Sequence, residues 1–400
     1  MSDSNKLKPG WKVWRFDQMA TNVNVRIDNP SESGMEHYVG LEHLDADSLK
    51  IRRWGTPDDV EATKLMFKKG DIIFGRRRAY QRKLGVAEFD GICSAHAMVL
   101  RAKPEIVIPE FLPFFMQSDL FMNRAVEISV GSLSPTINWK TMAVQEFALP
   151  PKDEQEKLVR LFIASDEVTE GYRDATLAIE AARQAFLSYS FPEDPLSNNI
   201  ALSTSIRRLD ELAEIRTGLA LGKKNGGQDL VSRPYLRVAN VLDGALDLTE
   251  MKTVEVRTNE LERYELREGD VLMTEGGDFD KLGRGTVWRG QVEGCLHQNH
   301  VFAVRSNASL LLPAYLAAIA RSPYGKRYFL SCAKKTSNLA SINKKQLSSF
   351  PVLWAPLDVQ HQVSDTVAAY DLTEKQLNER LASKKKLTSK LVNGMLGRSS

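Results

Sequence analysis

The run Arg76-Arg77-Arg78-Ala79-Tyr80-Gln81-Arg82-Lys83 sets five cations around one aromatic ring. It lies next to an apolar, strand-like segment, which places the cations on a loop. A guanidinium carries a planar fork of donors that can grip a phosphate or read guanine O6 and N7 through two parallel hydrogen bonds. The same run also fits a solvated basic loop. In the second half of the chain the candidate cations are spread out: Lys223, Lys224, Arg233, Arg237, Lys281, Arg284, Lys334 and Lys335. Each is weak alone; together they suggest a second surface for duplex DNA, reading a different sequence. Lys384-Lys385-Lys386 fits contact with DNA or an acidic partner, or an exposed helix face.

Other chemistry is sparsely represented. No Gly-x-x-x-x-Gly-Lys-Ser/Thr phosphate loop occurs, and Gly283-Arg284-Gly285 is a tight turn rather than a dinucleotide fingerprint. Cys295, His297 and His300 could approach a metal, but no Cys-x-x-Cys or fourth ligand accompanies them, so no metal site is expected. No nucleophile–base set stands out, and no catalytic residue is assigned.

Two long helical patterns would position the loops. The first follows Leu149-Pro-Pro-Lys-Asp-Glu-Gln, with Asp153 as a fair N-cap. Its inward positions read Leu158, Leu161, Ser165, Val168, Tyr172, Ala175, Ile179, Ala182, Phe186 and Tyr189, alternating steps of three and four as a coiled-coil seam does. The second, about 359 to 395, offers Val363, Val367, Tyr370, Leu377, Leu381, Leu391 and Met395, interrupted by Glu374, Lys384 and Thr388. An amphipathic helix packed on a globular core would show the same periodicity, but the chain supplies each helix with a partner, because it repeats itself. Ser132, Ile137, Asn138, Lys140, Pro151, Gln155 and Asp166 recur at Ser337, Ile342, Asn343, Lys345, Pro356, Gln360 and Asp371; 342 − 137 and 360 − 155 both give 205. Upstream, Gly70-Asp71 answers Gly269-Asp270 and His96 answers His300. The expected organisation is a mixed domain at 1–150, a helix at 151–190, a linker at 191–205, a second mixed domain at 206–354 and a terminal helix at 355–400. The fold class is α+β, two duplicated domains whose helices pair as an antiparallel coiled coil.

Four hundred residues with 42% hydrophobic content can fill a core in each copy. A net charge of +3 is nearly balanced, so binding to nucleic acid must rest on local clusters. Three cysteines form no paired framework, and residues 1–20 carry no apolar core of a secretory signal. No apolar run reaches the length of a membrane span. A soluble cytoplasmic protein is expected.

Read in order and twice over, several segments resemble the specificity subunit of type I restriction–modification systems. They are Tyr38-Val-Gly-Leu-Glu-His, Gly70-Asp-Ile-Ile-Phe, Gly131-Ser-Leu-Ser-Pro-Thr-Ile-Asn-Trp into Leu149-Pro-Pro-Lys-Asp-Glu-Gln, Pro234-Tyr-Leu-Arg-Val-Ala-Asn-Val, and Ser337-Asn-Leu-Ala-Ser-Ile-Asn into Ala355-Pro-Leu-Asp-Val-Gln. The second copy departs from the pattern at Ala355 and Val359. The resemblance implies two target-recognition domains, each reading half of a bipartite double-stranded DNA site, with the helices as spacer and as dock for two modification (methyltransferase) subunits. It implies no cofactor on this chain. S-adenosylmethionine, ATP and Mg would serve the modification and restriction subunits, which carry adenine methylation and ATP-dependent translocation and cleavage. The rival readings are a stand-alone DNA methyltransferase or nuclease, and a coiled-coil scaffold that binds no DNA.

Overall fold

The computed structural model describes residues 7–193, 205–220, 229–277, 279, 282–335 and 340–396, without the side chain of Lys335. Two compact units divide the chain: residues 1–173 with 379–400, and residues 174–378. Each contains one copy of the repeated domain and segments of both long helices.

In the first unit, strand Lys12–Arg15 pairs with Glu146–Leu149, tying the start of the domain to its end. The main sheet is antiparallel, in the order Ala20–Val23, Ala97–Ala102, Ile72–Gly75, Leu84–Val86. In the second unit, Ser205–Arg208 pairs with Pro351–Trp354, and the main sheet runs Ala213–Thr217, Val301–Ser306, Val271–Thr274, Gly285–Val287. The order and directions match strand for strand, so the duplication read from sequence is a duplication of topology.

The repeated residues explain why both copies fold alike. Gly70 and Gly269 turn with φ of 89° and 90°, a region that favours glycine, and deliver the next aspartate into the core. Asp71 and Asp270 are buried. Each accepts a backbone N–H three residues back at 2.8 Å, from Lys68 and Arg267 respectively. Each also takes a two-pronged bond from an arginine: Arg101 onto Asp71 at 2.7 and 2.8 Å, and Arg305 onto Asp270 at 2.8 and 2.8 Å. A buried carboxylate needs such full pairing to offset its desolvation.

The repeated glutamine fastens each long helix to its domain. Gln155 Oε1 accepts from the Ile108 amide at 2.9 Å, while Nε2 donates to the Pro150 carbonyl at 2.9 Å. Gln360 Oε1 accepts from Leu312 N at 2.8 Å, and its Nε2 donates to Ala355 and Leu310 oxygens at 2.7 and 2.9 Å. Each domain also holds two consecutive helices, Phe111–Gln117 with Asp119–Glu127 and Pro313–Arg321 with Pro323–Cys332, broken at Ser118 and Ser322. Both serines are extended N-caps whose hydroxyl accepts an amide one turn on, from Phe121 and Gly325.

The central helix spans Lys152–Ser190 and the terminal helix Leu357–Leu396. Asp153 therefore lies inside the first turn rather than at its cap. The two helices run antiparallel where they meet: in the first unit Ser165 Oγ lies 2.8 Å from Thr388 Oγ1, and in the second Phe186 packs on Tyr370 with ring centroids 6.0 Å apart.

The seam differs from the expected one at three of its ten positions, and Ala175 and Ala182 are half-buried as expected. Leu158 is buried, and Ser165, Tyr172, Ile179 and Phe186 are buried or half-buried as expected. Leu161 and Val168, however, are 41% and 48% exposed, and Tyr189 is 78% exposed. Their C-terminal neighbours Phe162, Thr169 and Ser190 are buried instead. Leu161 and Phe162 are both apolar, and the bulkier ring takes the inside place. Thr169 tolerates burial because its hydroxyl donates to the Ser165 carbonyl at 3.1 Å. On the terminal helix Val363 and Val367 are buried, and Tyr370, Leu377, Leu381 and Leu391 are half-buried. The residues that interrupt its apolar pattern face polar partners. Lys384 Nζ donates to Ser165 Oγ at 2.7 Å, and Glu374, with Asp371, takes the Arg183 guanidinium. Among the described residues, no helix is long and apolar enough to cross a membrane.

Candidate nucleic-acid interface

In the first unit the basic run begins where strand Ile72–Gly75 leaves the sheet. Arg76 is half-buried, its Nη2 donating to the Ala95 carbonyl at 3.0 Å while its Nε is buried without a partner among the described residues. Arg77 and Arg78 converge on one hydroxyl, Ser134 Oγ, at 3.2 Å each. Ser134 belongs to the segment Val130–Thr136, which closes on itself and bridges back to Arg77. Leu133 at its tip is 89% exposed, and Tyr80 is 54% exposed. The result is a face of two arginines, a serine and exposed apolar side chains. Histidine His96 adjoins it, its imidazole pushed below the usual range by burial and by the nearby Arg77 and Arg76.

The last two cations of the run are held internally. Arg82 sits in a left-handed conformation (φ 52°), paired with Asp47 at 2.6 Å and Asp119 at 3.0 Å and bonded to the Gln117 carbonyl. Lys83 Nζ donates to the Leu41 carbonyl at 2.7 Å. Both are held from within, whereas Arg76, Arg77, Arg78 and Tyr80 are tied to no acidic partner among the described residues.

In the second unit the candidate cations among the described residues stand at separate places. Arg233 packs across Gly294, Arg237 donates to the Glu250 carbonyl at 3.3 Å, and Arg284 is half-buried and engaged. Lys334 is exposed on a short strand paired with Ala340–Ser341. Lys223, Lys224 and Lys281 lie outside the described residues, as do Ser337 and the side chain of Lys335.

This unit holds a groove of about 570 Å³ lined by Glu275, Gly276, Gly277, His300, Lys334 and Ser341. Glu275 Oε2 lies 2.6 Å from His300 Nδ1. Cation counting reaches this groove only through Lys334 and misses Glu275, because that group is an anion. The signal that finds it is the repeat, since Glu275 follows its Gly-Asp strand where Arg76 follows the first. Cys295, His297 and His300 do not converge. Cys295 is buried, His297 is buried with Nδ1 2.7 Å from the Val301 carbonyl, and His300 is exposed on Glu275.

Two domains of matching topology, each continued by a long helix, define a tandem-duplicated chain carried on paired helices. The family model of the type I restriction modification DNA specificity domain matches residues 55–172 and 204–383. The chain belongs to that family. The EcoKI specificity subunit of Escherichia coli K12 is 24% identical over an alignment of 418 positions, spanning 97% of this chain and 89% of that one. A structure solved in work on complex assembly and conformational transition of the type I R-M system superposes with a TM-score of 0.61 at 22% identity, covering 98% of this chain and 100% of that one. The crystal structure of the type I restriction-modification S subunit from M. genitalium has a TM-score of 0.55 at 14% identity, covering 100% and 99%.

Proposed function

We propose that the chain is the specificity subunit of a type I restriction–modification complex. Each domain reads one half of a bipartite duplex site, and the paired helices set the distance between halves and dock two modification subunits. Restriction subunits would join the same assembly, and the chemistry on DNA, using S-adenosylmethionine, ATP and Mg, would belong to those partners. The observation that supports this most is the duplication itself, with one scaffold built twice and different polar residues at the same loop. A protein that recognises two unlike half-sites needs that combination, since scaffold residues position and loop residues discriminate.

The test is a mobility shift on a split-site duplex library, with and without modification subunits. Wild type is expected to retard duplexes carrying two fixed blocks. Replacing Arg76, Arg77 and Arg78 together by alanine should weaken binding and reduce the slope of log K against log salt by about 1 to 3, roughly 0.9 for each phosphate no longer neutralised. Unchanged affinity and slope would show that the basic loop is merely solvated. Methylation by the purified chain alone would overturn the division of labour.

A further inference from the structure

The two units can be aligned through their hydrogen bonds rather than by residue type. Ile137 N donates to the Arg76 carbonyl at 3.0 Å, and Ile342 N donates to the Glu275 carbonyl at 2.8 Å. Arg77 bridges Thr136, and Gly276 pairs with Ser341. Gly75 pairs with Ala97, one residue after His96; Thr274 pairs with Val301, one residue after His300. Arg76 and Glu275 therefore occupy the same place in the fold, each next to a histidine at the same place. One copy puts a pure donor there and the other a pure acceptor.

Glu275 is half-buried and lines the groove. Its carboxylate has four lone-pair sites, and His300 takes one oxygen from the side, fixing the rotamer. Gly276 and Gly277 follow it, so no side chain from the next two positions shields the carboxylate. Exposed Lys334 lines the same groove, a cation that can hold a phosphate and offset the repulsion between Glu275 and a nucleic-acid backbone. Four residues on, Phe279 is 39% exposed, as Tyr80 is four residues after Arg76.

In the major groove only cytosine N4 and adenine N6 present an amino donor to a carboxylate, whereas guanine N7 and O6 call for an arginine. We propose that Glu275, oriented by His300, is a base-reading residue of the second domain that selects an exocyclic amino group in its half-site. Arg76, at the matching place, lies on the face that selects guanine in the other half-site. This rests on the reading of the chain as a bipartite DNA reader, and deepens it by assigning opposite hydrogen-bond chemistry to the two halves.

The experiment is selection of bound duplexes from a randomised split-site library by the full chain assembled with its modification subunits, at fixed salt. Wild type should fix a cytosine or adenine at one position of the second half-site. Glu275→Met, which keeps the side chain's length and removes both acceptor oxygens, should reduce that preference about tenfold, leaving other positions and the first half-site unchanged. Arg76→Ala should relax guanine only in the first half-site. Where the fixed base is adenine, wild type should bind about tenfold more weakly to a duplex carrying 2-aminopurine there, which pairs with thymine but lacks the N6 amino group. Where it is cytosine, an analogue without N4 serves, so the test survives a variant that does not fold. An unchanged preference in Glu275→Met, or a uniform loss at every position, would overturn the assignment while leaving the DNA reader intact. Failure of wild type to select any half-site would overturn the reader itself.

Discussion

His297 and His300 stand three residues apart and do opposite things. His300 lies in the turn before strand Val301–Ser306 and is exposed, whereas His297 lies on a strand and points into the core. Burial pushes the His297 imidazole down to about 4. The unfolded chain takes up a proton near pH 6.5, but the folded protein resists it until about 4. The stability contributed is therefore present above pH 6.5 and lost as pH falls toward 4, about 3 kcal/mol at most. Urea unfolding of wild type and His297→Gln at pH 7.5 and 4.5 checks this: wild type should lose more stability on acidification than the variant, and equal losses would refute it. Sequence proximity had grouped Cys295, His297 and His300 as possible ligands. Strand geometry separates them, and that information resides in the pairing partners rather than in the spacing. The basic run was legible as a loop of cations. That Arg82 and Lys83 brace it from within was not, because Asp47, Asp119 and Leu41 are distant in sequence.

At the scale of elements, periodicity gave both long helices and the central seam except at Leu161, Val168 and Tyr189. At those three positions the inside place moves on by one residue, since steps of three and four and steps of four and three fit the same apolar run until a partner surface chooses. The interruptions of the terminal helix proved to be its polar contacts. Arg183, only 11% exposed at its side chain, lies between Asp371 and Glu374, and Asp371 is also bound by Arg321 at 2.8 and 3.1 Å. Removing one member strands the others. Arg183→Ala should cost about 2–3 kcal/mol of unfolding free energy, at the lower end of buried pairs because the carboxylates are partly exposed. Replacing Arg183, Asp371 and Glu374 together by methionine and leucines leaves Asp243 to pair with Arg321 and should recover most of it. Denaturant titration of both variants decides: equal destabilisation would mean that packing, not charge pairing, sets this layer.

For the whole molecule, the duplication was the most legible feature, because scaffold residues must recur wherever the same fold is built twice: Asp71 and Asp270, Gln155 and Gln360. Loops escape that requirement, which is why the second domain's candidate reader, an acidic residue, could not be found by seeking copies of a basic run. The spacer role of the helices is the central claim. They contain 39 and 40 residues, about 60 Å at 1.5 Å per residue. One heptad added to each lengthens them by about 10 Å, close to 3 base pairs at 3.4 Å each. The most direct measurement is the spacing of half-sites in duplexes selected by wild type and by the heptad-lengthened chain, both assembled with modification subunits. Two fixed blocks whose gap grows by about 3 base pairs in the lengthened chain is the predicted result; one contiguous block, or a gap that does not change, would contradict it.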